Sequence, residues 1–306
     1  MKAVRIHRFG DPDVLQFEEI AVPSPKEGEV LVQVSGAGTN PVDYKIRAGK
    51  FPRITAKELP ITLGRDICGT VQKSGADPDE VIALLNWDLG GYAQFAALPR
   101  TLCVPKPRNM TAVDAAAIPL AAMTAWQGLF DHAQLQPKEK ILIHGGSGGV
   151  GTFAVQLARR HGAQIIATTS TKNISLVKQL GADEVIDYKT SRFQDLVHDV
   201  DVVFDTVGGK TRELSWSVLK PNGRMVTIVS DPPSDDPRVQ KSFFIVEPIQ
   251  RQLVEIGKLL DAGSLKTFVN AVLPLEDAAK AYRKPLPHEL GYGKIVITIP
   301  NGGQTS

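Results

Sequence analysis

The segment ILIHGGSGGVG at 141–151 contains Gly146-x-Gly148-x-x-Gly151. Three glycines at that spacing, between an apolar run and a helical pattern, can do one particular piece of chemistry. They allow a tight turn, let the backbone approach a pyrophosphate, and let the following helix pack closely on a sheet. The helix N-terminus then offers unpaired N–H groups to the phosphates. The helix face is Val150, Ala154, Leu157 and Ala158, with Gly162 as its stop. The motif therefore points to a bound dinucleotide, with Gly148, Gly149 and Val150 in the pyrophosphate loop. The alternative is a glycine-rich turn that only packs a helix on a sheet.

A dinucleotide lacking a 2′-phosphate is usually held by an Asp or Glu about 20 residues past the glycines. No acidic residue lies between Gly145 and Ala182. The second apolar run instead ends in Thr168-Thr169-Ser170-Thr171-Lys172-Asn173. Hydroxyls and a cation suit a 2′-phosphate, which a carboxylate would repel. Ser170 and Lys172 are the expected contacts, and NADPH the expected cofactor. Alternatively this is a polar loop in which Thr171 or Asn173 caps the next helix.

Other chemistries lack their residues. Two cysteines, Cys68 and Cys103, make neither a disulfide framework nor a zinc pattern. Each reads as a small buried hydrophobe. His144, just before the glycines, reads as structural.

Elements must position these residues. The first hundred residues read as β: Val30, Val32 and Val34 alternate with polar neighbours, and GTVQK, EVIALL and YAQFAAL follow as short apolar stretches. A small antiparallel barrel or sandwich is expected. From Thr111 the chain turns Ala-rich and helical, with Thr111 or Asp114 as cap and a break or kink at Pro119. From Lys140 to about Asn270 strand and helix alternate. Strands are expected at ILIHG, QIIATT, EVID, DVVFD and RMVTIV. Helices are expected after Gly149, near 174–180, near 211–219 and over 248–261. Such alternation predicts a doubly wound parallel sheet. A helix at LEDAAKAYRK and a closing strand GKIVITI complete the chain, the strand returning to the first domain.

Among 306 residues the formal net charge is +2, and acids and bases are mixed. No basic block suggests nucleic acid or a membrane surface. The N-terminus has no signal-peptide core, so a reducing cytoplasmic setting is expected. The tail, Asn301 to Ser306, is expected to be disordered.

Several segments in order resemble the zinc-independent quinone oxidoreductase branch of the medium-chain dehydrogenase/reductase family, the group that includes zeta-crystallin. They are GTNPVDYKIRAG (38–49), LGRDICGTV (63–71), GGYAQFAALP (90–99), IPLAAMTAWQGL (118–129), HGGSGGVG (144–151), LGADEVIDY (180–188), DTVGG (205–209) and the closing GKIVITI. The resemblance implies an α/β fold with a GroES-like β-barrel catalytic domain, 1–120 completed by 271–306. It also implies a Rossmann NADPH-binding domain, 121–270. It implies a homodimer formed through the strand RMVTIVS.

Residue by residue, the resemblance implies that Asn40 and Asp43 face the nicotinamide and substrate. Thr124 lies close to the cofactor, and Ser170, Lys172 and Tyr188 surround the 2′-phosphate. Phe243, Phe244 and Val246 lie along the nicotinamide, and Lys294 contacts the cofactor. Each has a plainer alternative. Asn40 could hold a turn before Pro41, and Asp43 could pair with Arg47. Tyr188 could be a packed strand residue, and the phenylalanines could be core. Where the zinc branch has Cys, His and Glu, this chain has Asn40, Arg65 and Asp66. No metal is expected.

The activity implied is hydride transfer from NADPH to a quinone or activated carbonyl, with Asn40 or Tyr44 donating to the developing oxyanion and water supplying the proton. Reduction of an alkenal or enone double bond is the rival, and an NADPH-binding protein with little turnover is the non-enzymatic one. Two departures bear on substrate shape: SGADPDEVIAL is short for the family, and Tyr292 stands where Arg is common.

Overall fold

The computed structural model describes residues 1–72, 79–230, 234–283 and 291–300. The short stretch at Gly75–Pro78 and the tail from Asn301 lie outside the described residues. The chain forms two compact units, Met1–Leu120 with Pro248–Ser306, and Ala121–Glu247.

The first unit is built on the strand Glu29–Gly38. Val32 and Val34 are buried on one side of it. Its first half pairs with Phe95–Pro99. Its second half pairs with Asp66–Val71, and its last three residues pair with Lys294–Thr298. All of these pairings are antiparallel. The closing strand therefore does return to the opening sheet, where it also pairs in parallel with Val269–Pro274. Glu80–Leu84 and Val104–Pro105 extend the other edge, and a separate three-stranded sheet joins Leu15–Glu19, Lys2–Ile6 and Ile61–Thr62. The helix Ala112–Ala116 lies so close to the end of Glu29–Gly38 that a Cβ on Gly38 would sit 2.5 Å from the Ala116 carbonyl. Glycine is what lets the strand deliver Thr39 and Asn40 there.

The second unit is a five-stranded, wholly parallel sheet. Its order is Glu184–Asp187, Gln164–Thr169, Lys140–Ile143, Val200–Asp205, Leu219–Thr227. The first strand in sequence lies in the middle and the order reverses beside it, the switch point at which such sheets bind ligands. Leu142, Ile166, Ile186, Val200 and Val203 are buried on the sheet, with Phe193 and Val197 packed over them. The crossover helices Gly149–His161, Ile174–Gln179 and Gly209–Ser215 fall where the pattern places them.

Two local expectations change. The second unit ends at Glu247, not 270. The helix Gln250–Asp261 belongs to the first unit, where Asp261 accepts the Arg108 N–H at 2.7 Å and Gln250 donates to the Cys103 carbonyl at 2.9 Å. Its apolar stripe of Leu253, Ile256 and Leu260 does not reveal which core it serves. LEDAAKAYRK forms a 3₁₀ helix over Leu275–Tyr282, not an α-helix. The break expected at Pro119 is there: Thr111 caps Ala112–Ala116, and Pro119 opens a second helix, Pro119–Trp126. Among the described residues no helix is long and apolar enough to cross a membrane.

Candidate functional site

In the second unit the strand Lys140–Ile143 runs into His144, which is fully buried. Its ring lies between Thr168 Oγ1 at 3.1 Å and Ser215 Oγ at 2.9 Å. Burial pushes its pKa down to about 4, so it is neutral and structural. The chain then turns through Gly145, at φ +73°. Gly146 N–H donates to the Thr168 carbonyl and Gly148 N–H to the Gly145 carbonyl, both at 2.9 Å. The helix Gly149–His161 starts with Gly148 as a cap that offers no side chain. The first N–H groups of the helix, from Gly149 to Gly151, thus meet whatever lies in the turn. A Cβ on Gly151 would lie 2.1 Å from the Gly145 carbonyl oxygen, so the helix approaches the turn as closely as only glycine allows.

Beside this turn stands a residue the motif leaves as "x". Ser147 Oγ accepts from Thr169 Oγ1 at 2.8 Å and from Asn173 Nδ2 at 3.0 Å. Asn173 Nδ2 also reaches Ser170 Oγ at 3.3 Å. Asn173 precedes the helix Ile174–Gln179 but makes no side-chain cap bond there. Its amide links the glycine turn to the loop after Gln164–Thr169. Lys172 is exposed in that loop, and Tyr188, 60% exposed, donates its N–H to the Thr169 carbonyl at 3.1 Å. The structure thus gathers Ser170, Lys172 and Tyr188 at the end of one strand pair.

It also adds a carboxylate, Asp187, from the neighbouring strand. Asp187 accepts from Thr171 Oγ1 at 2.6 Å and Lys189 N at 2.9 Å. The Thr171 hydroxyl and these partners hold its pKa below the usual range. A search for acids along the second strand alone misses it, because parallel pairing brings it in from the third.

Thr124 is 4% exposed, and its hydroxyl has no hydrogen-bond partner among the described residues. A buried hydroxyl without a partner is costly and marks a place for a polar ligand group. Phe244 does not lie open for a ring to stack on: it is buried against His132, ring centres 4.2 Å apart. Val246 is buried too, and Phe243 is half-buried with its backbone bridged to Thr227. Gln127 clamps this segment. Its Nε2 donates to the Glu247 carbonyl at 2.8 Å, and its Oε1 accepts the Glu247 N–H at 3.0 Å. Nothing in the sequence distinguishes Gln127 from its Ala-rich helical surroundings.

In the first unit Asn40, Asp43, Asp66 and Lys294 form one buried cluster. Lys294 Nζ donates to the Thr39 carbonyl at 2.7 Å, to Asn40 Oδ1, and to Asp66 Oδ2 at 3.1 Å. Asn40 Nδ2 donates to Asp66 Oδ2 at 3.0 Å and to the Gly38 carbonyl at 3.3 Å. Asp66 Oδ1 accepts the Leu120 N–H at 2.6 Å. Three hydrogens of an ammonium meet three acceptors, and both amide hydrogens of Asn40 are placed as well. The Lys294 ammonium is thus engaged within this cluster. Asn40 has no hydrogen left for a substrate oxygen.

Asp43 is fully buried and does not turn to Arg47. Its carboxylate accepts from Asn40 N at 2.7 Å, Tyr92 Oη at 3.2 Å and Gly64 N at 3.3 Å, and Tyr92 in turn meets Tyr282 Oη at 2.7 Å. Burial pushes the Asp43 carboxyl up to about 6. Arg47 donates to the Gly10 carbonyl at 2.8 Å. Of the three residues expected at the substrate, Tyr44 alone is substantially exposed, at 40%. Arg65 donates to the Leu85 carbonyl at 2.6 Å and lies with its guanidinium 3.4 Å from the Trp87 ring centre. Tyr292 packs edge-on against Phe268.

A zinc ion does not fit this cluster. The place beside Asn40 and Asp66 already holds the Lys294 ammonium, and zinc wants thiolate and imidazole donors. Burial pushes the Cys68 and Cys103 thiols up to about 12 and about 11, so neither is a thiolate. A nicotinamide dinucleotide does fit the second unit: the glycine turn would take the pyrophosphate, and the Thr124 hydroxyl awaits a polar partner.

Residues 26–108 match the family model described as "Alcohol dehydrogenase GroES-like domain", and residues 180–297 the one described as "Zinc-binding dehydrogenase". The chain is 35% identical over 288 residues to a tomato (Solanum lycopersicum) 2-methylene-furan-3-one reductase, covering 88% of this chain and 71% of that one. It is 31% identical to a spinach (Spinacia oleracea) chloroplastic quinone-oxidoreductase homolog, covering 97% and 98%. It is 34% identical to an Arabidopsis thaliana chloroplastic NADPH-dependent alkenal/one oxidoreductase, covering 97% and 79%. Among solved structures, the Coxiella burnetii quinone oxidoreductase superposes with a TM-score of 0.88 at 29% identity, over 98% of this chain and 99% of that one. A mycobacterial protein complexed with NADPH superposes with a TM-score of 0.83 at 26% identity, over 97% and 100%.

Proposed function

Because the chain belongs to the zinc-independent, quinone-oxidoreductase-like branch of the medium-chain dehydrogenase/reductase family, we propose that it is a reductase that takes hydride from NADPH and delivers it to a quinone or an enone. The observation that carries this reading is the turn at 145–151. It opens a helix with no side-chain cap and closes on Gly151 more tightly than any other residue permits. Family relatives named for quinone, furanone and alkenal/one reduction support the acceptor class, and the NADPH complex of a similar structure supports the cofactor.

When bound, the nicotinamide supplies the hydride. The chain does the rest. N–H groups of Gly149, Val150 and Gly151, with Gly146 and Gly148 shaping the turn, hold the pyrophosphate. Ser170, Lys172 and Tyr188 face the 2′-phosphate. Thr124 fixes the nicotinamide end, against the backbone of 243–246. At the substrate, the exposed Tyr44 phenol takes the donor's role toward an oxygen gaining negative charge. Asn40, Asp43 and Lys294 hold the end of Glu29–Gly38 and the start of helix Pro41–Arg47 in place. Water protonates the hydroquinone anion or enolate. Two free thiols suit a reducing compartment such as the cytoplasm.

Turnover with 1,4-benzoquinone compared with a medium-chain 2-alkenal separates the two acceptor classes. Tight NADPH binding with turnover on neither would leave a binding protein instead. Lys172→Ala should weaken NADPH about tenfold and leave NADH nearly unchanged, measured by fluorescence titration. Equal weakening of both contradicts the 2′-phosphate assignment.

A further inference from the structure

Ser147 occupies an unassigned place in the glycine turn, and its surroundings fix what its hydroxyl can do. A serine oxygen accepts two hydrogen bonds and donates one. Both acceptor positions are filled from inside the fold: Thr169 Oγ1 donates at 2.8 Å and Asn173 Nδ2 at 3.0 Å. Thr169 and Asn173 are themselves buried, so these two donors are held in place. Ser147 is only half-buried, so its single proton remains for a group outside the fold.

The side on which it points is set by its partners. Thr169 is the last residue of the strand Gln164–Thr169, second in the sheet's sequence. The end of that strand is where a dinucleotide fold meets the adenosine ribose and its 2′ substituent. Through Asn173, Ser147 also shares an amide group with Ser170 Oγ, 3.3 Å from that Nδ2. The pyrophosphate, by contrast, is the business of the N–H groups two to four residues later.

Building on the cofactor reading above, we propose that Ser147 is a specificity-determining residue: its hydroxyl, oriented by Thr169 and Asn173, donates to the 2′-phosphate of the cofactor. Asn173 is then a positioning residue that ties the pyrophosphate turn to the 2′-phosphate loop.

Two cofactor fragments test this without turnover: adenosine 2′,5′-bisphosphate, and AMP, which lacks the 2′-phosphate. Calorimetric titration of the wild-type chain comes first. A clear preference for the bisphosphate sustains the cofactor reading, and no preference removes it together with this proposal. Given that preference, Ser147→Ala should weaken the bisphosphate about tenfold or more, as expected for a hydrogen bond to a charged group, with AMP little changed. Thr169→Val leaves the serine in place but removes one of the two donors that orient its hydroxyl, and should produce a smaller loss of the same kind. An unchanged bisphosphate affinity in Ser147→Ala overturns the assignment while leaving the cofactor reading intact. Equal losses for both fragments overturn it too, moving the hydroxyl to the pyrophosphate. If Ser147→Ala does not fold, Thr169→Val decides alone, and an unchanged ratio of the two affinities overturns the proposal.

Discussion

Removing the Lys294 ammonium would leave the Asp66 carboxylate buried without its cation and Asn40 Oδ1 without its donor. Breaking a buried pair in this way costs about 3–5 kcal/mol, because the remaining charge has no water to turn to. Lys294→Met should lower the unfolding free energy by that order in urea titrations. A lysine serving the cofactor would instead leave stability alone and weaken NADPH. Asp43 makes a second prediction. Its carboxyl is raised from 3.8 to about 6 in the fold, mainly by burial. Between those values the folded state holds a proton that the unfolded chain has lost. The stabilisation is complete below the unfolded value and disappears as pH rises through the folded one, by roughly 2–3 kcal/mol at 1.36 kcal/mol per pKa unit. The urea midpoint should therefore fall between pH 4 and 6, and Asp43→Asn should flatten that slope.

The turn at 145–151 shows how an element limits its residues. A methyl at Gly151 overlaps the Gly145 carbonyl. Gly151→Ala must push the helix Gly149–His161 off the turn and abolish dinucleotide binding, read as loss of NADPH fluorescence enhancement with the circular dichroism spectrum retained. This element was legible in the sequence because each glycine answers a local steric demand. The same holds for the three central parallel strands, whose Val and Ile runs are buried. The helix Gln250–Asp261 was legible as a helix but not as part of the first unit, since an amphipathic stripe says that a face is buried and not where. Asp187, Gln127 and the paired roles of Asn40 and Lys294 stayed hidden for a related reason. Their partners are 16, 120 and 254 positions away in the chain, and only the folded chain brings them together.

At the scale of the molecule, the strand Leu219–Thr227 ends the five-stranded sheet, and among the described residues its outer side is met only by the bridge from Phe243 to Thr227. Unpaired N–H and carbonyl groups on a sheet edge invite a second copy to continue it. Sedimentation should find a dimer, and Met225→Pro on that strand should shift it toward monomer; a monomeric wild type would contradict the reading. The two-unit plan was legible as a change of texture near Thr111, where alternating β pattern passes to Ala-rich helix. The return point at 247–248 was not, because no comparable change marks it.

Burial of the two thiols has a consequence for any catalyst that handles quinones. Quinones and enones are electrophiles that add to sulfur, and the species that attacks them is the thiolate. With Cys68 held near 12 and Cys103 near 11, fewer than about one in a thousand of either is ionised at neutral pH. The protein can thus work in the presence of compounds that would arylate an ordinary surface cysteine, its own acceptors included.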